Sequence, residues 1–343
     1  MTHFSSASIS GGAAPNSPAI DLLGDIDETA SLEIRCVAVP LSGHGQRIDR
    51  ALADAVPEFS RNYLQQLIEL GAVQVAGKLM SKASARVKAG ELLTIELRPT
   101  PQSVAFKPED MVLDVVFEDE YLRVINKPAG LVVHPAPGNW SGTLLNGLLA
   151  RDVQASLLPR AGIVHRLDKD TSGLMVVARQ RQTMDQLVAM IAMRNVSREY
   201  IALVNGAWTG SKTRQIESSV GRDPRNRLRM AVVDLEKNAG KPASTSVSLL
   251  DTNGLFSLVG CKLHTGRTHQ IRVHMAHIGH PLVADQTYGG TAAGGLTRQG
   301  LHACRLAFTH PATGADMVFN MQPPADIQLA IQSIGLRYNI RLA

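Results

Sequence analysis

Apolar and polar positions along this chain follow two periods. In residues 45–98, Ile48, Leu52 and Val56 fall on one helical face, and a second helix is predicted over 61–70 with Tyr63, Leu64, Leu67, Ile68 and Leu70 apolar. Ser60 offers that helix an N-cap hydroxyl and Gly71 a stop. Residues 73–75 and 92–97 read as strands, the first ending at an Ala76-Gly77 turn. Further on, 115–117 and 122–125 predict a hairpin across Asp119-Glu120. Residues 143–151 and 183–194 predict helices, and 200–204, 245–250 and 256–263 predict strands. These strands do not alternate regularly with helices. The expected class is therefore α+β, with a mixed, mostly antiparallel sheet in the larger domain and a small α+β domain before it.

The pattern divides the chain. Residues 1–40 are expected to be a disordered acidic tail, rich in Ser, Gly, Ala and Pro, and 41–98 the small domain. Residues 99–110 hold three prolines and read as a semi-rigid linker. Residues 111–325 form the larger domain and 326–343 a C-terminal tail. The 343 residues are 44% apolar and 19% charged, which reads as soluble and globular. No apolar run approaches the ~18 residues of a membrane span, and no basic-then-apolar leader opens the chain. A cytoplasmic protein is expected, with monomer as the default state. Cys36, Cys261 and Cys304 form no CxxC pair and are expected to be reduced thiols.

Charge sharpens this picture. The net charge is +5, yet residues 1–34 hold five carboxylates and no Lys or Arg, so residues 35–343 carry +10. A basic body suggests a polyanionic partner, with nucleic acid the first candidate. Arg47, Arg50, Arg61, Lys78, Lys82, Arg86 and Lys88 gather in the small domain. Arg222, Arg225, Arg227 and Arg229 crowd a Gly- and Pro-marked loop that can meet phosphates.

The densest chemistry is His165-Arg166-Leu167-Asp168-Lys169-Asp170-Thr171-Ser172-Gly173-Leu174, a polar loop between apolar runs expected to be strands, Ile163-Val164 and 174–178. Two carboxylates here could serve acid–base chemistry or a metal; Asp170 also suits a turn before Gly173. A second constellation runs from Leu263 to His274. Thr268 can cap a helix bearing Ile271, Met275 and Ile278, and Arg267 sits at the bend before it, within reach of a neighbouring loop. Five histidines nearby invite a metal, but HExxH and companion acids or thiolates are missing, so no metal is expected. Neither GxxxxGK[ST] nor a post-strand GxGxxG occurs, which leaves nucleotide cofactors without support.

The segments His165–Gly173, Asn126-Lys127-Pro128-Ala129-Gly130, Arg198-Glu199-Tyr200 and 265–272 (TGRTHQIR), in that set, resemble the motifs of RNA pseudouridine synthases of the HRLDxxTSG branch, which includes the ribosomal large-subunit enzymes. The small domain resembles the S4 RNA-binding domain. The S4 module together with the Arg-Asp-Pro-Arg loop is similar to the type acting on 23S ribosomal RNA. The resemblance implies isomerisation of uridine to pseudouridine without a cofactor, in 23S rRNA or the pre-ribosomal large subunit. It assigns catalysis to Asp168, and uracil stacking with a share in the late proton removal from C5 to Tyr200. Such an aspartate needs a cation beside it, and Arg267 is the candidate for that ion pair. Arg166 would fill the space of the flipped base. Arg222, Arg225, Arg227, Arg47, Arg61 and Lys78 would contact RNA. Two other classes remain in view: a non-catalytic RNA-binding or ribosome-assembly factor, and a nucleosidase using Asp168 with Asp170. Two carboxylates that close in a tight loop do not readily flank a sugar, which weighs against the last.

Overall fold

The computed structural model describes residues 33–97, 105–136 and 138–338, so most of the expected acidic tail and the first half of the expected linker lie outside the described residues. The chain separates into two compact units, residues 1–100 and 101–343.

The first unit contains β1 (Glu33–Ala38), α1 (Ile48–Ala55), α2 (Arg61–Glu69), β2 (Val73–Val75), β3 (Lys78–Leu79) and β4 (Leu92–Leu97). Its antiparallel sheet has the order β1-β4-β2-β3. The predicted helical faces form its core: Ile48, Leu52, Leu64, Leu67 and Ile68 are fully buried with Val73 and Ile95. The Ser60 hydroxyl accepts the Tyr63 amide at 3.2 Å, and Gly71 ends α2 at φ +67°. Ala76 and Gly77 both take positive φ, the geometry that a two-residue hairpin needs. β1 falls within the stretch expected to be tail. It is an edge strand whose Ile34 faces outward, so burial leaves little alternation to read.

One carboxylate organises this unit. Asp49 is fully buried and receives Arg47 at 3.0 Å, Arg61 at 2.8 Å and Gln65 at 2.8 Å. The hydrogen bond from Arg47 leads in holding its carboxyl well below the ordinary range, against burial. Both guanidinium groups remain half exposed, and Lys78 is exposed on β3.

The second unit contains β5 (Val115–Glu118), β6 (Leu122–Lys127), α3 (Leu144–Arg151), β7 (Ser172–Ala178), α4 (Arg181–Ala192), β8 (Ser197–Asn205), β9 (Thr213–Glu217), β10 (Val220–Arg222), β11 (Met230–Val232), β12 (Gly240–Lys241), β13 (Ser244–Thr252), β14 (Phe256–Leu263), α5 (Gln270–His277), β15 (Leu301–Thr309), β16 (Asp316–Asn320) and α6 (Ala325–Ser333). The main sheet runs β5-β6-β7-β15-β8-β14-β13-β9, with β16 on the second half of β15. Its pairs are antiparallel except β7 with β15. A smaller sheet, β11-β10-β12, carries the Arg-rich turn between β10 and β11.

Three expectations change here. Ile163-Val164 is not a strand: Ile163 makes a single bridge to Val177 after a 3-10 turn. Within the expected linker, residues 105–110 are held by the second unit. Ala105 is buried, and Asn146 donates to the Ala105 and Lys107 carbonyls at 3.1 and 2.8 Å. The expected C-terminal tail contains α6, whose Ile327, Ala330 and Ile331 pack on Ile201 and Leu203 at i, i+3, i+4 spacing.

The β5–β6 hairpin is fixed by charge. Asp119 closes the turn by accepting the Tyr121 and Leu122 amides. Buried Arg123 reaches Glu118 at 2.5 Å and Asp152 at 3.5 Å, while Arg151 and Arg179 join the same carboxylates. The Arg123 hydrogen bond leads in pulling Glu118 down to about 2, against burial. A depressed carboxyl stabilises the fold above its unfolded value, and that stability is lost as pH falls through the folded one. Acid unfolding of the second unit, followed by circular dichroism, should therefore lose stability from about 4.5 down to about 2. Glu118→Gln should flatten the curve in that window.

Candidate active site

The polar loop of 164–171 follows the Ile163–Val177 bridge and enters β7 at Ser172. The register aligns Gly173, Ala303, Tyr200 and Cys261 in one transverse row over β7, β15, β8 and β14. Gly173 is required in that row. Its φ is +117°, and a Cβ there would lie 2.2 Å from the Ala303 carbonyl oxygen. Beside it, the Ser172 hydroxyl meets His302 Nδ1 at 3.0 Å, both buried.

Lys127 ties the loop down. It is fully buried at the end of β6, and its Nζ donates to the carbonyls of Pro128, Leu131 and Lys169 at 2.7, 2.9 and 2.9 Å. Three acceptors use all three ammonium protons, whereas burial pulls the group down to about 7. Gly130 donates to the same Lys169 carbonyl, so the Asn-Lys-Pro-Ala-Gly stretch and the His-Arg-Leu-Asp loop form one structure. His165 anchors the loop from the other side by accepting the Val176 amide at 3.1 Å; burial pushes it down to about 3, which keeps it a neutral acceptor. Asp170 is the third residue of a turn closed by Thr171 N to the Asp168 carbonyl, and its own carbonyl accepts Arg298.

Asp168 is thereby presented to a cleft of about 640 Å³, lined among others by Arg166, Arg198, Tyr200, Arg267 and His269. Arg166 is exposed and shares this cleft with Asp168, as two positions apart on extended backbone should. Tyr200 is buried on β8. Burial pushes its phenol up to about 12, so its ring face, rather than an ionised oxygen, is what it offers near neutral pH.

The ion pair expected from Arg267 is made by Arg272. Its Nη1 lies 3.1 Å from Asp168 Oδ2, while Arg267 donates through Nε to the Pro242 carbonyl at 3.2 Å. Arg267 leaves from the bend; Arg272 stands on the first turn of α5 and points into the unit. Thr268 does not cap that helix. The residue before α5 is His269, in the left-handed region at φ +56°, and Gln270 Oε1 satisfies Thr265 Oγ1 and Arg267 N instead.

Arg272 is shared. Its Nε and Nη2 hold buried Asp285 at 2.7 and 2.9 Å, and its guanidinium lies 5.0 Å from the Tyr288 ring centre. Burial opposes its charge, but the hydrogen bonds to Asp285 and the two carboxylate charges raise its pKa above the ordinary guanidinium value. Tyr288 Oη accepts the Met230 amide and meets His269 Nδ1 at 2.8 Å; His269 Nε2 is 3.9 Å from Asp168 Oδ1. Sequence reasoning quoted Lys127 and Arg272 within motifs without giving them a role, weighed His269 only as one of five histidines that invite a metal, and passed over Asp285 and Tyr288. The available signal for Arg272 was a lone cation between Ile271 and Val273 in an otherwise inward-facing helix. Nothing local marked Asp285.

The Arg-rich turn is also ordered internally. Arg229 pairs with buried Asp223 at 2.7 Å and Arg222 Nη1 reaches the Arg227 carbonyl, leaving Arg225 and Arg227 exposed at the tip. The histidines of the second constellation disperse: His264 to Ser246, His274 to Thr245 and His280 to the Asn205 carbonyl. Among the described residues no three His, Cys, Asp or Glu side chains converge as metal ligands. No helix among them is long and apolar enough to cross a membrane.

Removing Arg272 leaves Asp285 buried and unpaired, so Arg272→Met should cost about 3–5 kcal/mol in denaturant unfolding. Arg272→Met with Asp285→Leu should recover most of that stability while activity stays lost, because Asp168 remains unpaired.

Known proteins are similar to this chain in sequence and fold. Residues 121–277 match the RNA pseudouridylate synthase family and residues 46–93 the S4 domain. A ribosomal large subunit pseudouridine synthase D of Neisseria meningitidis serogroup B is 48% identical over 302 residues, covering 85% of this chain and 79% of that protein. The protein of that name from Escherichia coli O157:H7 is 42% identical over 296 residues, covering 82% and 89%. The solved structure of human RNA pseudouridylate synthase domain containing 4 has the same fold, with a TM-score of 0.51 at 21% identity over 66% of this chain and 94% of that one. With motifs, fold and relatives in agreement, this chain belongs to the RNA pseudouridine synthase family, with an S4 domain at its N-terminus.

Proposed function

We propose that this enzyme converts uridines of 23S ribosomal RNA, free or in the pre-ribosomal large subunit, to pseudouridine, with Asp168 as the catalytic group. The observation that carries the assignment is the Asp168–Arg272 pair at the cleft beside Tyr200. A carboxylate that attacks ribose C1′ or removes the C2′ proton must hold one oxygen toward the nucleotide, and a guanidinium at 3.1 Å from the other oxygen fixes that direction. Arg272 acts as a positioning residue; Oδ1 of Asp168 is the oxygen left for the nucleotide. The substrate name carried by the large-subunit relatives supports rRNA as the target. Such an enzyme works in the cytoplasm, and one chain carries the whole cleft, so a monomer suffices. The reaction rearranges one nucleotide and needs no cofactor.

A stacked uridine must leave its helix to reach Asp168, at a cost of a few kcal/mol. Arg166, exposed in the same cleft, fills the vacated stack. Tyr200 stacks on the extruded uracil. Arg222, Arg225 and Arg227 on the turn, with Arg47, Arg61 and Lys78 of the S4 domain, meet backbone phosphates and offset the flipping cost. Arg267, aimed at the Pro242 side of the cleft, adds positive charge along the RNA path rather than at Asp168.

Asp168→Asn should reduce pseudouridine formation on 23S rRNA transcripts by about 10³-fold or more, read by chemical adduct mapping, with RNA affinity retained. Product formed at the wild-type rate would sink the assignment; free uracil released by the wild type would favour a nucleosidase. Replacing Arg225 and Arg227 by Gln should weaken RNA binding and lower the salt slope by about 0.7–0.9 per lost phosphate contact, measured by filter binding.

A further inference from the structure

Among the described residues three arginines are buried, and two of them have carboxylates: Arg123 has Glu118 and Asp152, and Arg272 has Asp168 and Asp285. Arg198 is the third. It is 6% exposed, its Nε is buried without a hydrogen-bond partner, and no ion pair is formed with it. Arg123 also leaves Nε unbonded, but its charge is neutralised at Nη2. A buried guanidinium without a counter-ion is a costly arrangement unless something else meets its charge.

Arg198 opens onto the Asp168 cleft. On β8 it stands two residues before Tyr200, so both project from the same face, continuing the row Tyr200, Ala202, Val204 that packs in one core cluster. Its charge is felt by the Tyr200 phenol and by His165. Gly266 packs against its Nη1, where a Cβ would lie 2.8 Å away, so the 264–269 bend closes over it without supplying an acceptor. The unmet guanidinium therefore lies beside the ring that stacks on uracil, rather than at the exposed mouth where phosphates run.

The reaction creates an anion at that place. When the N1–C1′ bond breaks, its electron pair leaves with the base. Meanwhile C1′ bonds to Asp168 Oδ1, or C2′ gives up its proton to that carboxylate. The detached uracil carries negative charge over N1 and its two carbonyl oxygens until that charge forms the C5–C1′ bond, displacing the Asp168 oxygen or with return of the C2′ proton; the C5 proton then passes to solvent and N1 takes one up. We propose that Arg198 is a catalytic residue that holds this uracil anion, donating hydrogen bonds to its carbonyl oxygens while the ring turns over on Tyr200. The role is electrostatic: no proton leaves Arg198. It rests on the pseudouridine synthase activity and on Tyr200 as the stacking surface. It also explains why β8 carries an uncompensated charge, since the compensating anion is made during the reaction.

The test uses full-length wild type, Arg198→Met and Arg198→Lys with 23S rRNA transcripts containing uridine or 5-fluorouridine. Single-turnover rates are measured at saturating enzyme, with RNA affinity and thermal stability alongside. Arg198→Met should slow uridine consumption about 100-fold or more, as loss of one donor to a developing anion does elsewhere, with Arg198→Lys in between. Affinity should change little, and the melting temperature should hold or rise, because an unpaired buried charge has been removed. Fluorine makes the departing base a more stable anion, so the loss on 5-fluorouridine RNA should be several-fold smaller. An affinity loss with an intact rate at saturation would identify a phosphate contact and overturn the proposal. Equal losses on both RNAs, or a large fall in melting temperature, would overturn it as well. Active wild type with unaffected Arg198 variants would reject this role and leave the Asp168 assignment standing; inactive wild type would reject both.

Discussion

Arg272 is gripped by two carboxylates, one fully buried and one facing the cleft, and the geometry around Asp168 follows from that sharing. Asp285 takes the Nε and Nη2 edge at 2.7 and 2.9 Å, which leaves Nη1 to reach Asp168 at 3.1 Å. The bidentate grip fixes the guanidinium plane. Tyr288, whose ring lies against that guanidinium, shares a hydrogen bond with His269, which faces the other oxygen of Asp168. One residue on one helix turn thus sets the direction of the carboxylate and balances the buried charge of Asp285.

The loop that carries Asp168 is held with comparable strictness. Lys127 gathers three carbonyls beneath it, and Gly173 lets β7 close against β15 where any side chain would strike backbone. Neither residue touches the cleft in order to react. They tie a polar loop to the strands beside it, as a group whose position must be set before substrate arrives requires.

Charge is arranged in two ways across the second unit. At the β5–β6 hairpin and at Arg272, guanidinium and carboxylate neutralise each other, and the result is structure. On the Arg225–Arg227 tip and at Arg198, positive charge is left without a partner. The tip is solvated and suits phosphates. Arg198 is buried and suits an anion that exists only inside the cleft. The contrast follows from desolvation: water fully solvates the first kind of charge, while the second is largely withdrawn from water and gains more from an anion that enters the cleft.

Most of the local structure was legible in the sequence. The Ser60 cap, the Gly71 stop, the Asp119 turn and the helix after Thr143 depend on residues within a few positions of one another, where caps, turns and periodicity act; the antiparallel character of the sheet was legible from strands that do not alternate with helices. Residues 33–38 escaped because an exposed edge strand buries too little to alternate, and α6 because its short apolar stripe was read as tail. The Asp168 loop and Tyr200 were legible as motifs. The partner of Asp168 was not: Arg267 and Arg272 lie five residues apart in one motif, and their choice depends on a left-handed His269 and on how α5 docks against the sheet. The Asp168–Arg272 pair spans 104 residues and Lys127 to Lys169 spans 42. Sequence alone determined which residues could do chemistry, because residue type and short-range spacing set that. Tertiary structure decided which charges meet and which one is left unmet, because strand register and helix docking bring together groups that no local signal connects.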